Sequence, residues 1–158
     1  MFMRRKDRQI TNLDEVIDIL EHTDVIRLAM NNGDYPYIVP VNFCYELTTN
    51  NQLIFYIHGA KVGTKVELLR QNPLLSFELD TGHQLITNEK ACKYSFDYAS
   101  VIGNGCATFI EEPTAKIAAL QVMMNKFAPN KTFSFTESDV RPISVIKIEV
   151  QAYTAKKH

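Results

Sequence analysis

The clusters Asn31-Asn32-Gly33-Asp34, Thr48-Thr49-Asn50-Asn51 and Thr81-Gly82 cut this chain into short apolar runs, and that rhythm restricts its fold more than any other feature. Glycine and asparagine tolerate the backbone conformations that tight turns need, so each cluster reads as a hairpin connection. Between and beyond them lie runs of strand length at residues 25–30, 35–45, 53–58, 74–80, 83–87, 98–111 and 145–150. Helical spacing is confined to a few stretches. Asn12 is a candidate cap, with Glu15 three residues on, and Leu13, Val16, Ile17 and Leu20 share one helical face to about His22. A short helix over 64–71 stops at Asn72-Pro73, because the residue before proline resists the helical conformation. Pro113 suits a first helical turn, followed by the apolar stripe Ile117, Leu120, Met124 and Phe127. Another turn of helix is predicted near Ser138, after Phe133-Ser134-Phe135.

Six or seven strands joined mostly by hairpins, with helices at the margins, predict a mainly β fold: an antiparallel sheet closed, or nearly closed, into a barrel. A doubly wound nucleotide fold would require regular strand–helix alternation and a glycine-rich first turn, and neither is present. At 158 residues the chain suits one domain, with residues 1–10 as an N-terminal arm and no repeat or linker. Pro36 and Pro40 sit within the run 35–45. Proline donates nothing to a ladder, so this strand must lie at an edge, carry a bulge, or open toward a ligand.

A net charge of −1 supplies no global field for nucleic acid or an anionic membrane, and Arg4-Arg5-Lys6 and Lys156-Lys157 are too short to change that. Cys44, Cys92 and Cys106 are odd in number and contain no CxxC pair, which argues against a disulfide framework or structural zinc and favours a reducing cytoplasm. No His, Asp or Glu set has metal-ligand spacing, the basic start lacks the apolar run of a signal peptide, and no run is long enough to span a membrane.

Most of the chemistry concentrates in His58-Gly59-Ala60-Lys61-Val62-Gly63-Thr64-Lys65, between an apolar strand and a helix. Two glycines permit close backbone approach, two lysines and a threonine bring donors, and the helix start adds unpaired N–H groups at the positive dipole end. Those are the parts of a phosphate site; the competing reading is a strand-to-helix turn with solvated lysines. Tyr56 and His58 are two apart and share a strand face, so they can line one pocket. Gly103 and Gly105 within a strand suggest a bulge or the close approach of a planar ligand, in which case a bulky replacement would harm binding more than stability.

Four segments together carry a family resemblance: Met3-Arg4-Arg5-Lys6-Asp7-Arg8; Tyr35-Pro36-Tyr37-Ile38-Val39-Pro40-Val41-Asn42-Phe43; Tyr56 to Lys61 with Gly63 and Lys65; and Ser100-Val101-Ile102-Gly103 with Gly105. In this order they resemble the nitroimidazole-resistance (Nim-type) branch of the pyridoxamine-phosphate-oxidase-like flavin split barrels, over nearly the whole chain. The resemblance implies a six-stranded antiparallel split barrel of the FMN-binding type, a homodimer with two flavin sites at its interface. It implies that His58, Gly59, Ala60, Lys61, Gly63, Thr64 and Lys65 hold the flavin phosphate. It further implies that the ring lies against the backbone of Val39, Pro40, Val41 and Asn42, and that Ser100, Val101, Ile102 and Gly103 border the site. FMN is the expected cofactor, with FAD left open. The expected function is reduction of small electron-poor, nitro-aromatic compounds, with His58 the candidate catalytic residue and Tyr56 beside it. A non-catalytic flavin- or haem-binding storage or sensor protein on the same barrel is the alternative. The basic start would share in anchoring phosphate or a partner subunit.

Overall fold

A computed structural model describes residues 3–158, so Met1 and Phe2 of the expected arm lie outside the described residues. The elements run β1 (Gln9–Ile10), α1 (Leu13–Glu21), β2 (Val25–Met30), β3 (Tyr37–Asn42), β4 (Cys44–Leu47), β5 (Leu53–Ala60), α2 (Thr64–Gln71), β6 (Leu74–Ile86), β7 (Ser95–Ile110), α3 (Pro113–Phe127), α4 (Glu137–Val140) and β8 (Ile143–Lys157). All described ladders are antiparallel, in the order β3-β2-β6-β7-β8-β5-β4, and the N-terminal segment joins through β1 on β8.

The two outermost strands, β3 and β4, are separated in sequence by one residue, Phe43. The sheet therefore curls until its edges meet at Phe43 without a ladder between them: a split barrel, as the hairpin rhythm and the family pattern predict. Phe43 is fully buried and meets Phe55 edge-on at 5.4 Å, and Phe55 in turn meets Phe77 at 5.1 Å. Edge-to-face rings align the positive rim of one with the negative face of the next, adding about 0.5–1.5 kcal/mol per pair beyond burial. Ile26, Leu28, Leu79, Val101, Ile146 and Ile148 fill the rest of the barrel from alternate strand positions. The edge position expected for the proline-bearing strand is observed, since β3 ends the sheet.

Some boundaries moved. Thr81-Gly82 is not a hairpin turn but a bulge within one continuous β6, with Gly82 at φ 71° and the register shifting between Thr81 and Gln84. The turn lies later, so β7 starts at Ser95. β8 continues past Val150 to Lys157, because Gln151 is accommodated as an extra residue where Asn104 faces Ala152 and Gly105 faces Val150. Asn12 caps α1 as expected, its side chain accepting from the Asp14 N–H at 2.9 Å. The buried stripe of α3 is rotated from the predicted one: Lys116, Ala119, Leu120 and Met123 are buried, while Phe127 is exposed. A lysine on the buried face hides the true period from an apolar count.

Candidate functional site

The strand–turn–helix expected over residues 53–71 is observed. β5 carries through His58, Gly59 and Ala60, the chain turns at Lys61-Val62-Gly63, and α2 begins at Thr64. Gly63 adopts φ 127°, a backbone conformation that side chains strain against, and its carbonyl accepts the Val66 and Glu67 N–H groups. The amides before them, of Thr64 and Lys65, form the open N-terminal end of the helix. Lys65 folds back over the strand end, with its Nζ 3.4 Å from the position a Gly59 Cβ would take. Glycine here leaves the room in which the ammonium sits. Burial lowers the Lys65 pKa.

His58 lies on the opposite face of β5, open to solvent on one side and partly enclosed on the other, and its pKa is lowered by this partial burial first and the Lys65 charge second. Tyr56 shares that face but does not open toward the turn. It packs beneath α3 and α4 with Ala119, Leu120 and Val145, and its hydroxyl donates to Glu46 Oε2 at 2.9 Å. Burial, then Glu46, raises its pKa, so the phenol keeps its proton.

In β3, Val39 and Val41 turn inward against the core, while Pro40 and Asn42 face outward. The Asn42 side-chain amide donates to the Asp24 carbonyl at 3.0 Å. Pro40 faces Arg27 on β2, Arg27 faces Glu78 on β6, Glu78 faces Ile102 on β7, and Ile102 faces Thr154 on β8. Pro40 and Ile102 thus share one row on the outer surface, about 14 Å apart by three strand spacings. Sequence reasoning missed Arg27, which bridges Glu78 at 3.0 Å within that row and Asp80 at 2.5 Å two residues further along β6. A lone charge in the apolar run Val-Ile-Arg-Leu-Ala-Met was the available signal.

Ser100 and Val101 are buried, and Gly103 is filled from below. A Cβ on Gly103 would lie 2.5 Å from the Ala152 carbonyl oxygen and 2.8 Å from Phe77 Cε1; one on Gly105 would lie 2.7 Å from Ile148 Cγ2. Of the two expectations for these glycines, the bulge is observed, with the β7–β8 register shifting between Asn104 and Gly105, and the space a Cβ would need is taken by the protein's own core. The predicted segments also do not converge within one chain. Gly103 faces Tyr153 of β8, and His58 faces Val145, eight residues back along the same strand. At ~3.3 Å per residue the two lie about 25 Å apart along the strand.

A further cavity adjoins the turn. Lys61 lines it with Lys116 of α3, Arg141 after α4, and the carboxylates of Glu111 and Glu137. Lys116 and Arg141 escaped the sequence reading because isolated basic residues ordinarily read as solvated. Among the described residues no group of His, Cys, Asp and Glu could hold a metal ion, and no helix is long and apolar enough to cross a membrane.

Against this geometry, the family model for pyridoxamine 5'-phosphate oxidase matches residues 12–157. The chain belongs to that family. Its fold recurs in a candidate 5-nitroimidazole antibiotic resistance protein from Bacteroides thetaiotaomicron, with TM-score 0.81 and 28% identity over 94% of this chain and 86% of that one. The flavocytochrome Anf3 from Azotobacter vinelandii has TM-score 0.83 at 16% identity, covering 99% and 72% of the two chains. An FAD and haem binding protein from Mycobacterium smegmatis has 0.81 at 16%, covering 95% and 73%. At such identities these last two show the fold alone. No curated protein matches the sequence. Membership in the pyridoxamine 5'-phosphate oxidase family accounts for the order of the four sequence segments and for the split barrel.

Proposed function

We propose that this chain is a flavin-dependent oxidoreductase that reduces small electron-poor, nitro-aromatic compounds, as a homodimer. The observation that carries the reading is the end of β5, where Lys65 occupies the space left by Gly59 beside the open amides of α2. That is a cationic cradle for a phosphate monoester, in a member of the pyridoxamine 5'-phosphate oxidase family. Lys61, Gly63 and Thr64 supply the remaining turn. When bound, the flavin supplies two-electron redox chemistry. The protein's part is to anchor the phosphate at this turn and to present an edge-strand backbone at Val39–Asn42 to the ring. His58, with its lowered pKa, is neutral at pH 7 and keeps one donor and one acceptor nitrogen. It suits positioning of a flavin or substrate heteroatom better than standing as a ready proton donor.

The homodimer follows from the 25 Å between the turn and the Ser100–Gly103 segment. If both border one flavin, they come from different copies of the chain. Ile38, Leu74, Phe96 and Ile102 are exposed on the sheet and its β6–β7 hairpin, and apolar surface of this kind suits a two-fold contact. A flavin- or haem-carrying protein without turnover is the competing reading, kept by the exposed imidazole of His58.

The ultraviolet–visible spectrum of the purified protein, after loading with FMN, separates these readings. Flavin bands that bleach on reduction and return when a nitroimidazole is added under anaerobic conditions support the reductase. A Soret band, or a reduced flavin that no nitro compound reoxidises, supports the carrier. Lys65→Ala and Lys61→Ala each remove a charge-assisted hydrogen bond of about 1.5–3 kcal/mol. Each is expected to weaken FMN binding by roughly ten- to a hundred-fold while leaving riboflavin nearly unaffected. Wild-type FMN affinity in both variants would place the phosphate elsewhere.

A further inference from the structure

Two basic groups meet near the end of β5 with no acid between them. Lys65 folds back from α2 until its Nζ lies 3.4 Å from the Cβ position of Gly59, the residue after His58. Lys65 is partly buried, and burial alone acts on its ammonium, so among the described residues no carboxylate compensates it. Like charges in one place disfavour each other's charged form. Lysine ordinarily titrates about four units above histidine, so Lys65 keeps its proton and His58 is the group that yields. Burial first and this ammonium second hold His58 below its ordinary value.

Among the described residues the neighbouring elements do not supply the missing acid. On β8, His58 faces the uncharged Val145, and Lys147 further along is paired with Glu149 at 2.7 Å. Glu46 of β4 already accepts from the Tyr56 hydroxyl. Glu67, in the first turn of α2, is exposed and acts on neither group. Toward α3 and α4, Glu111 and Glu137 stand with Lys61, Lys116 and Arg141 around a cavity of their own, and the charge that acts on His58 is that of Lys65. On α2 the Gly63 carbonyl takes the Val66 and Glu67 amides, which leaves those of Thr64 and Lys65 open beside the ammonium. An anion drawn to these amides and to Lys65 brings the negative charge that His58 lacks.

We propose that the turn couples anion occupancy to the protonation of His58: a dianion held by Lys65 and the α2 amides draws a proton onto the imidazole. A unit charge ~8–10 Å away at an effective dielectric of ~20 displaces a titration midpoint by about one unit. The anion both offsets Lys65 and adds charge of the opposite sign, so the displacement is upward. By linkage the reverse holds, and a protonated His58 tightens the anion by the same factor. The identity of the anion rests on the flavin reading above, under which it is the cofactor's phosphate and a proton-carrying His58 appears only with the cofactor. The coupling itself rests on the strand end that His58 and Lys65 share.

Proton NMR titration of the four histidines of the full chain tests the coupling, with His58 assigned by the loss of its signals in His58→Gln. The probes are sulfate, a dianion across the whole range, against chloride at equal ionic strength, and FMN against riboflavin. Sulfate and FMN should each raise the His58 midpoint by about one unit or more. Chloride and riboflavin should not, and Lys65→Met should abolish the rise. His22, His83 and His158 lie on other elements and should keep their midpoints. Where sulfate alone binds too weakly to read, the difference between FMN and riboflavin decides. Bound FMN that leaves His58 where riboflavin leaves it overturns the coupling and leaves the flavin reading intact. A rise that persists in Lys65→Met with FMN bound also overturns it, since the phosphate then acts from elsewhere. If no flavin binds, yet sulfate raises the midpoint and Lys65→Met removes the rise, the coupling stands for a free anion and the flavin reading falls. If no flavin binds and sulfate leaves His58 unmoved, both fall.

Discussion

His58 and Gly103 show how far one side chain's surroundings can redirect its role. For His58, burial first and Lys65 second hold the native pKa below the ordinary 6.5. The unfolded chain therefore binds more protons in acid, so stability rises with pH here. This residue's contribution is present above about 6.5 and lost as pH falls through the native value. Proton NMR of the imidazole should give a midpoint below 6.5, shifted only part of the way back by Lys65→Met because burial remains. A midpoint at or above 6.5 would contradict the placement. Gly103, read as marking a bulge or the approach of a ligand, lies beside the bulge, and Phe77 and the Ala152 carbonyl occupy the space a side chain would need. Gly103→Ala is thus an overpacking change, expected to cost about 1–3 kcal/mol in urea unfolding. A second substitution, Phe77→Leu, should recover part of that loss if the two sites are coupled through this contact.

Helix α3 is held to the barrel by lysines as well as apolar residues. Lys126 reaches across to the carbonyls of Leu20 at 3.0 Å, in the last turn of α1, and of Thr23 at 2.6 Å, just beyond it, and its ammonium lies 3.8 Å from the Phe43 ring centroid. Cations favour the negative end of a helix, and the ring face adds a cation–π term. Burial lowers the Lys126 pKa, which fits a group held mainly by carbonyls. Lys126→Met keeps the stem and removes the charge, leaving two carbonyl acceptors short of a donor. We expect a loss of about 1–3 kcal/mol in urea unfolding, with α1 and α3 gaining hydrogen exchange together. Unchanged exchange in α1 would mean that Lys126 does not couple the two helices. At this level the sequence was legible where a cap or proline marks an end, as at Asn12, Asn72-Pro73 and Pro113. It was misleading where a lysine is buried, because polarity was taken for exposure.

For the molecule as a whole, if the turn and the Ser100–Gly103 segment border one flavin, as proposed, their separation requires two chains to complete the site. Sedimentation at micromolar concentration is expected to give twice the chain mass, with one flavin per chain after loading. Ile102→Lys replaces an exposed apolar side chain between Glu78 and Thr154 by a charge, and in the proposed two-fold contact it would place a charge where apolar surface is to be covered. It should shift the equilibrium toward monomer and release flavin together. A monomer that retains flavin at wild-type affinity would show that one chain completes the site and would remove the dimer from the proposal.

The hairpin rhythm, the edge placement of the proline strand, the strand–turn–helix at residues 53–71 and the capped first helix were all readable in the sequence. Each depends on conformational preferences of residues close together in the chain, and local sterics do not wait for the fold. Tertiary structure alone decided what each face meets. It turned Gly103 toward Phe77, placed Tyr56 under α3, rotated a buried lysine into the α3 stripe, and set two segments of the family pattern 25 Å apart on β8. Those outcomes depend on strand positions 26 to 87 residues apart coming into register, from Phe77–Gly103 to His58–Val145. A shift of one residue in that register would exchange the inner and outer faces, and no local preference specifies it.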